Sequence, residues 1–250
     1  MSGHSKWSTI KRQKGVTDAR RGQLFTKLAR EIMVAVREGG ANPEANFRLR
    51  LAVQKARDNN MPLDNIERAI KKGSGQTEGA SLLEMVFEGY GPGGTAVLAE
   101  ALSDNRNRVL QEVRHIFSKH GGNLGESGCV AWLFDSRGVI SVETGETDAE
   151  GLALQAIDAG ADDVKVEKSY VEIYTAPEEL EKVREALAQQ NVTIASAELL
   201  MVPKTTVELD EKAALQALKL LDKLEELDDV QRVSSNADFS DALLEKYQAQ

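Results

Sequence analysis

The chain has 250 residues, 41% of them hydrophobic and 28% charged, with no apolar run near the roughly 20 residues needed to span a bilayer. One cysteine, Cys129, excludes an intrachain disulfide and, with only three histidines, supplies too few soft ligands for a structural zinc site. The net charge of −9 divides unevenly: residues 1–78 carry 16 basic and 8 acidic residues, net +8, and residues 79–250 carry 15 and 32, net −17.

Residues 1–16 show no apolar periodicity and no apolar stretch of the kind that marks a secretory signal. They hold Lys6, Lys11, Arg12, Lys14 and one aromatic, Trp7, and read as an arm that orders on a partner. A helix is expected from Thr17-Asp18, either of which can cap it. Phe25, Leu28, Ile32 and Val36 recur at the helical period, with Leu24, Ala29 and Met33 beside them. Arg20, Lys27, Arg30 and Arg37 fall within an arc of about 100° on the opposite side, with Arg21 next to Arg20. This predicts a helix that packs inward and shows a basic stripe to solvent, ending at Gly39-Gly40. Asn42-Pro43 reads as the cap and first turn of a second helix reaching Asp58. Phe47, Leu51 and Ala52 are expected inward and Arg48, Arg50, Lys55 and Arg57 outward. Pro62 opens a third helix with Ile66, Ala69 and Ile70 inward and Lys71-Lys72 in its last turn, where the helix dipole favours cations. A polar linker, Gly73 to Gly79, closes this module.

After the linker the period changes to that of strands. Leu83–Glu88 and Thr95–Glu100 read as a hairpin joined by Gly89-Tyr90-Gly91-Pro92-Gly93-Gly94. Asn105–His120 reads as a helix facing inward through Val109, Leu110, Val113, Ile116 and Phe117, with Asp104 as a candidate cap. From Gly138 the order is strand, helix, strand, strand, helix, strand, ending near Leu200, which is the ferredoxin-like split βαβ. Thr206–Leu209, a helix from Asp210 to Glu226 and Val230–Val233 follow. Neither these nor 79–130 suffice for a domain alone, but joined they read as ββα…βαβ. The expected fold class is α+β: a three-helix domain over 1–78, a discontinuous α/β sandwich over 79–130 and 203–250, and a ferredoxin-like domain, 131–202, inserted in it.

Catalytic motifs are missing. Gly89 to Gly94 matches G-x-G-x-x-G but a strand follows it, where dinucleotide binding needs a helix N-terminus. Gly121 to Gly128 contains no lysine to reach a phosphate. His115 and His120 lie about 140° apart around one helix, and no orienting acid or oxyanion site is placed beside them. Arg106 and Arg108 are compatible with phosphate contact. The acidic stretch Asp222–Asp229 reads as a solvated face that repels nucleic acid and turns binding toward the basic end. A basic arm with a striped helix suits a phosphate backbone, since bound lysine and arginine release its counterions. No helix-turn-helix spacing, zinc finger or RNA-binding aromatic motif accompanies it.

The block Met1-Ser2-Gly3-His4-Ser5-Lys6-Trp7, with Phe25-Thr26-Lys27-Leu28, Arg30-Glu31-Ile32, Asn60-Met61-Pro62, Asp64-Asn65-Ile66 and Arg68 to Gly73, resembles the YebC family. So do Glu88 to Gly94 and Asp104 to Arg108, and the likeness runs over nearly the whole chain. The family includes bacterial probable transcriptional regulators and the mitochondrial translational activator of cytochrome c oxidase. The resemblance implies three domains and a cytoplasmic, non-enzymatic protein. Leu63, where the pattern has lysine, and Gln23, where it is often basic, both remove positive charge.

The leading expectation is a nucleic-acid-binding regulator of gene expression, DNA-binding, acting through the basic N-terminal module. The candidate contacts are Lys6, Lys11, Arg12, Lys14, Arg20, Arg21, Lys27, Arg30, Arg37, Lys71 and Lys72. The alternative is a translation factor bound to ribosomal RNA that assists translation, including at proline-rich stalls; an enzyme such as a small hydrolase is the third reading. No cofactor, metal, membrane or small-molecule substrate is expected.

Overall fold

The computed structural model describes residues 18–75, 82–143, 148–166 and 170–248. Helices α1 (Asp18–Gly39), α2 (Phe47–Asp58) and α3 (Leu63–Gly73) come first. They close around a core of their own: Leu28, Ile32, Ala35 and Val36 of α1, Leu49, Ala52, Val53 and Ala56 of α2, Ile66 and Ala69 of α3, and Met61. The second helix begins later than Pro43 suggests. Asn42 Oδ1 accepts the Glu44 N–H at 3.0 Å and spends that side chain on a turn. The cap is Asn46, whose Oδ1 accepts the Leu49 N–H at 3.0 Å while its amide donates to the carbonyls of Ala35 and Gly40 at 2.7 and 2.8 Å. These bonds satisfy a side chain that is almost fully buried. The shifted start turns Leu49, Ala52, Val53 and Ala56 inward, so Phe47 and Leu51 are only half-buried.

The strands and helices that follow are β1 (Leu83–Tyr90), β2 (Ala96–Ser103), α4 (Arg106–Lys119), β3 (Asn123–Leu124) and β4 (Phe134–Glu143). Next come α5 (Ala149–Asp158), β5 (Asp163–Val166), β6 (Tyr170–Thr175), α6 (Leu180–Gln189) and β7 (Ile194–Pro203). The chain ends with β8 (Val207–Glu208), α7 (Glu211–Glu225), β9 (Val230–Ser235), β10 (Ala237–Asp238) and α8 (Asp241–Gln248). The described residues fall into two compact units, one running to Phe134 and resuming at Pro203, the other Asp135–Val202.

In the first unit a four-stranded sheet has the order β3-β1-β2-β9. The β1–β2 hairpin is antiparallel from Leu83↔Ser103 to Tyr90↔Ala96, and its connection uses Gly93 and Gly94 at φ 71° and 74°, backbone that side chains rarely adopt. Alternation along the strands sends Met85, Phe87, Val97, Ala99 and Val233 into a core with Val109, Val113 and Phe117 of α4 and Leu218, Leu221 and Leu224 of α7. Gly89 lies where α4 crosses: a Cβ there would sit 2.6 Å from the Asn123 carbonyl and 2.7 Å from Phe117 Cε1.

Two local expectations, for Val207–Glu208 and for Asp104, are corrected by this unit. The apolar run Cys129–Phe134 lies outside this sheet; 131–133 is a single 3-10 turn, and the edge is filled by β3, paired with β1 at Gly89↔Leu124. The glycine-rich stretch after α4 lets the chain turn back at once, with Gly121 at φ 77°. Val207–Glu208 also stays outside the sheet and pairs in parallel with β10, Val207 opposite Ala237. Finally, α4 is capped by Asn105, whose Oδ1 accepts the Arg108 N–H at 3.1 Å, and not by Asp104.

The second unit is ferredoxin-like, with the order β5-β6-β4-β7 and antiparallel pairing of β4 with β6 and of β5 with β6. Leu152 and Ala156 of α5 and Leu180, Val183 and Leu187 of α6 are buried, as are Val139, Ile140, Val142, Val171 and Ile173 of the strands. Expressed alone, segment 131–202 should give a cooperative thermal transition. In the full chain, Gly138→Ala should cost about 1–3 kcal/mol, because a Cβ there would lie 2.3 Å from Thr175 Oγ1 and 2.9 Å from Leu180 Cβ. A featureless melt of the segment, or an unshifted melt of the variant, would contradict this account.

Candidate nucleic-acid interface

Two groups of cations separate on the helical module. The first lies on α1 and is not open. Lys27 Nζ donates to the Glu225 carbonyl at 2.6 Å, and Arg30 Nη1 donates to the Asp228 carbonyl at 2.6 Å. Arg30 Nη1 also lies 2.9 Å from Asp229 Oδ1. Glu225 is the last residue of α7, where carbonyls have no partner within the helix and the dipole is negative. Lys27 therefore closes the C-terminal end of α7, and Arg30 holds the turn that follows it. One residue along α1, Glu31 bridges Lys55 of α2 at 3.3 Å and Arg232 of β9 at 2.7 Å. Arg48 of α2 pairs with Glu38 of α1 and Glu84 of β1. Burial opposes the Arg48 charge, but the two carboxylates outweigh it and raise its pKa above the ordinary arginine value.

The expectation that Lys27 and Arg30 lie on a free solvent face is thus corrected. A helical wheel of α1 alone shows which side faces away from the three-helix core, but not that the acidic turn after α7 occupies part of that side. The same contact corrects the reading of Asp222–Asp229 as wholly solvated: Asp229 is buried and also pairs with Arg108 Nη2 at 3.0 Å. Arg108 is therefore drawn toward the sandwich rather than held for phosphate.

The second group is exposed to solvent. Arg37, in the last turn of α1, and Lys71 and Lys72, in the last turn of α3, are all exposed. At its C-terminal end α3 packs on α1 without a side chain between them. A Cβ on Gly73 would lie 2.8 Å from the Met33 carbonyl and 2.9 Å from Val36 Cβ, so the end of α3 rests one turn from Arg37. Arg68, which is not among the contacts expected from the sequence, is exposed on α3. Its signal was its spacing, three and four residues before Lys71 and Lys72, which puts the three on one side of the helix. Arg21 is exposed near the start of α1. The side chain of Arg20, and Lys6, Lys11, Arg12 and Lys14, lie outside the described residues.

The chemistry of the remaining reactive groups is restrained. Cys129 is half-buried, and burial together with the carboxylates of Glu88 and Glu126 pushes its thiol above the usual range, so at neutral pH it is protonated and a poor nucleophile. His120 ends α4, and its pKa is lowered by partial burial, then by Lys119, Lys223, Lys219 and His115. Among the described residues no three His, Cys, Asp or Glu side chains gather where a metal ion could sit, and no helix is long and apolar enough to cross a membrane.

Residues 5–76 match the family description "TACO1/YebC protein N-terminal domain", and residues 82–237 match "TACO1/YebC second and third domain". The chain belongs to the TACO1/YebC family. A probable transcriptional regulatory protein of Dehalococcoides mccartyi is 64% identical over 250 residues, covering all of both chains. One from Chloroflexus aurantiacus is 55% identical over 252 residues, again across both full lengths. The crystal structure of a conserved hypothetical protein from Aquifex aeolicus superimposes with a TM-score of 0.84 at 52% identity, over 90% of this chain and 93% of that one. The TACO1/YebC boundary near residue 80 coincides with the change from a helical to a strand period, and the basic and acidic halves of the chain divide there.

Proposed function

We propose that this TACO1/YebC chain is a cytoplasmic, non-enzymatic regulator of gene expression that binds nucleic acid through the phosphate backbone, using the basic N-terminal module. The observation that supports the reading is the exposure of Arg37 in the last turn of α1 and of Arg68, Lys71 and Lys72 along one side of α3, on a module with net charge +8. Lys6, Lys11, Arg12 and Lys14 extend the same charge along the chain. Phosphate contacts of this kind position a protein without reading bases. The names of the relatives, probable transcriptional regulatory proteins, favour DNA as the target.

Lys71→Glu with Lys72→Glu should weaken binding to unrelated duplexes alike, by tenfold or more at low salt, and reduce the log–log salt slope by about one per lost contact. Unfolding free energy should change by less than about 0.5 kcal/mol, since both side chains are exposed. Affinities titrated at several salt concentrations measure this, and equal affinities with equal slopes would remove the assignment. A ribosomal-RNA-bound translation factor is the second reading. Exposed Tyr90 and Trp132, which both donate to the Cys129 carbonyl, favour it, because unpaired bases stack on rings. Retention on duplex DNA against co-sedimentation with ribosomes, at matched salt, separates the two.

A further inference from the structure

Two aromatic residues are exposed at the end of β1 and in the turn before β4. Tyr90, the last residue of β1, is 42% exposed, and Trp132, in the 3-10 turn, is 65% exposed. Both donate to one acceptor: Tyr90 Oη and Trp132 Nε1 each lie 3.1 Å from the Cys129 carbonyl oxygen. Water would satisfy the polar end of an exposed tyrosine or tryptophan, so a protein acceptor is not needed for solvation. Sharing one oxygen instead holds the two rings in a fixed relation.

The backbone beneath them is fixed as well. Glu88 on β1 accepts N–H groups from Gly128, Val130 and Ala131 at 2.6, 2.9 and 2.8 Å. From the other end of the chain, Lys204 donates its backbone N–H to the Leu133 carbonyl at 2.9 Å and its ammonium to the Trp132 carbonyl at 3.0 Å. An ammonium is therefore held at the backbone carbonyl of the tryptophan. Rings held in place, open on their faces and flanked by a cation, match the chemistry of single-stranded nucleic acid, whose bases stack and whose phosphates pair with cations.

We propose that Tyr90, Trp132 and Lys204 form a stacking platform for the unpaired bases of a single-stranded RNA. The proposal rests on the reading of this protein as a nucleic-acid binder and adds a second contact, distinct from the basic residues of α1 and α3. A purely apolar protein partner is the competing occupant. The fixed rings and adjoining ammonium favour RNA, which uses both.

The test uses the full chain with Trp7→Phe, which leaves Trp132 as its one tryptophan. A short oligouridylate, which has little structure of its own, is titrated while Trp132 fluorescence is read. Saturable quenching is expected. Trp132→Leu and Tyr90→Leu should each weaken oligouridylate binding about tenfold, the equivalent of one lost stacking contact. Trp132→Phe should retain most of the affinity and so separates stacking from misfolding. Duplex binding should be unchanged in all three. Absence of quenching, or equal oligouridylate affinity in Trp132→Leu and Trp132→Phe, overturns the platform. The Lys71→Glu, Lys72→Glu variant keeps the two readings apart: if it binds duplex normally while oligouridylate still quenches Trp132, the basic face fails and the platform stands.

Discussion

Arg30→Glu should lower the unfolding free energy by about 2–4 kcal/mol, a large effect for a residue expected from helical spacing to be a surface contact. Arg30 loses its bond to the Asp228 carbonyl and its ion pair with Asp229, and a second carboxylate is brought against one that is already buried. Arg108 still pairs with Asp229 at 3.0 Å, which keeps the cost below that of a wholly isolated buried charge. Lys27→Glu should act in the same direction, placing an anion on the negative end of α7. Urea denaturation measures the loss, and hydrogen exchange should locate it first in α1. Unchanged stability with unchanged exchange in α1 would show that the contact between α1 and the turn after α7 carries no energy. The consequence for binding experiments is direct. Charge reversal at Lys27 or Arg30 weakens the fold as well as any phosphate contact, so the open residues Lys71 and Lys72 are the informative positions.

Glu88→Gln should cost about 2–3 kcal/mol and loosen the turn that presents Trp132. The native carboxylate accepts three backbone N–H groups from 128–131, and a neutral amide presents only one oxygen to them. Burial raises the pKa of Glu88, but the N–H groups of Gly128, Val130 and Ala131, with Ser127, outweigh it and hold the carboxyl below its ordinary 4.5. The contribution is therefore complete above the unfolded value and is lost as pH falls through the lowered folded value. Wild type and Glu88→Gln should differ most near neutral pH and converge in acid. A constant difference down to pH 3 would assign the loss to packing rather than to the carboxylate's charge.

The helices and the ferredoxin-like order were legible in the residues because both rest on local periodicity. Phe25, Leu28, Ile32 and Val36 recur at the helical spacing, and Leu28, Ile32 and Val36 are fully buried. The second unit reads in order because Asp148 and Pro177 precede its two helices and a glycine follows α5, although β4 begins at Phe134, four residues before the expected start at Gly138. Caps were less legible, since two neighbouring residues compete and only the packed backbone chooses. Asn46 wins over Asn42 because its amide reaches two carbonyls of the α1 end, and Asn105 over Asp104 because its oxygen lies opposite the Arg108 N–H.

The candidate site divides along the same line. The sequence by itself determined that positive charge gathers in residues 1–78, that Lys71 and Lys72 end a helix, and that the chain carries the YebC pattern. Only the tertiary structure decided which cations are open. Lys27 and Arg30 are about two hundred positions from the carbonyls they bind, at Glu225 and Asp228. Tyr90 and Trp132 likewise meet only because β3 pairs with β1 and Glu88 holds the turn that follows. A residue's spacing records which face of its own element it occupies. It carries no record of the distant element that covers that face, because such contacts form between segments whose periodicities are independent.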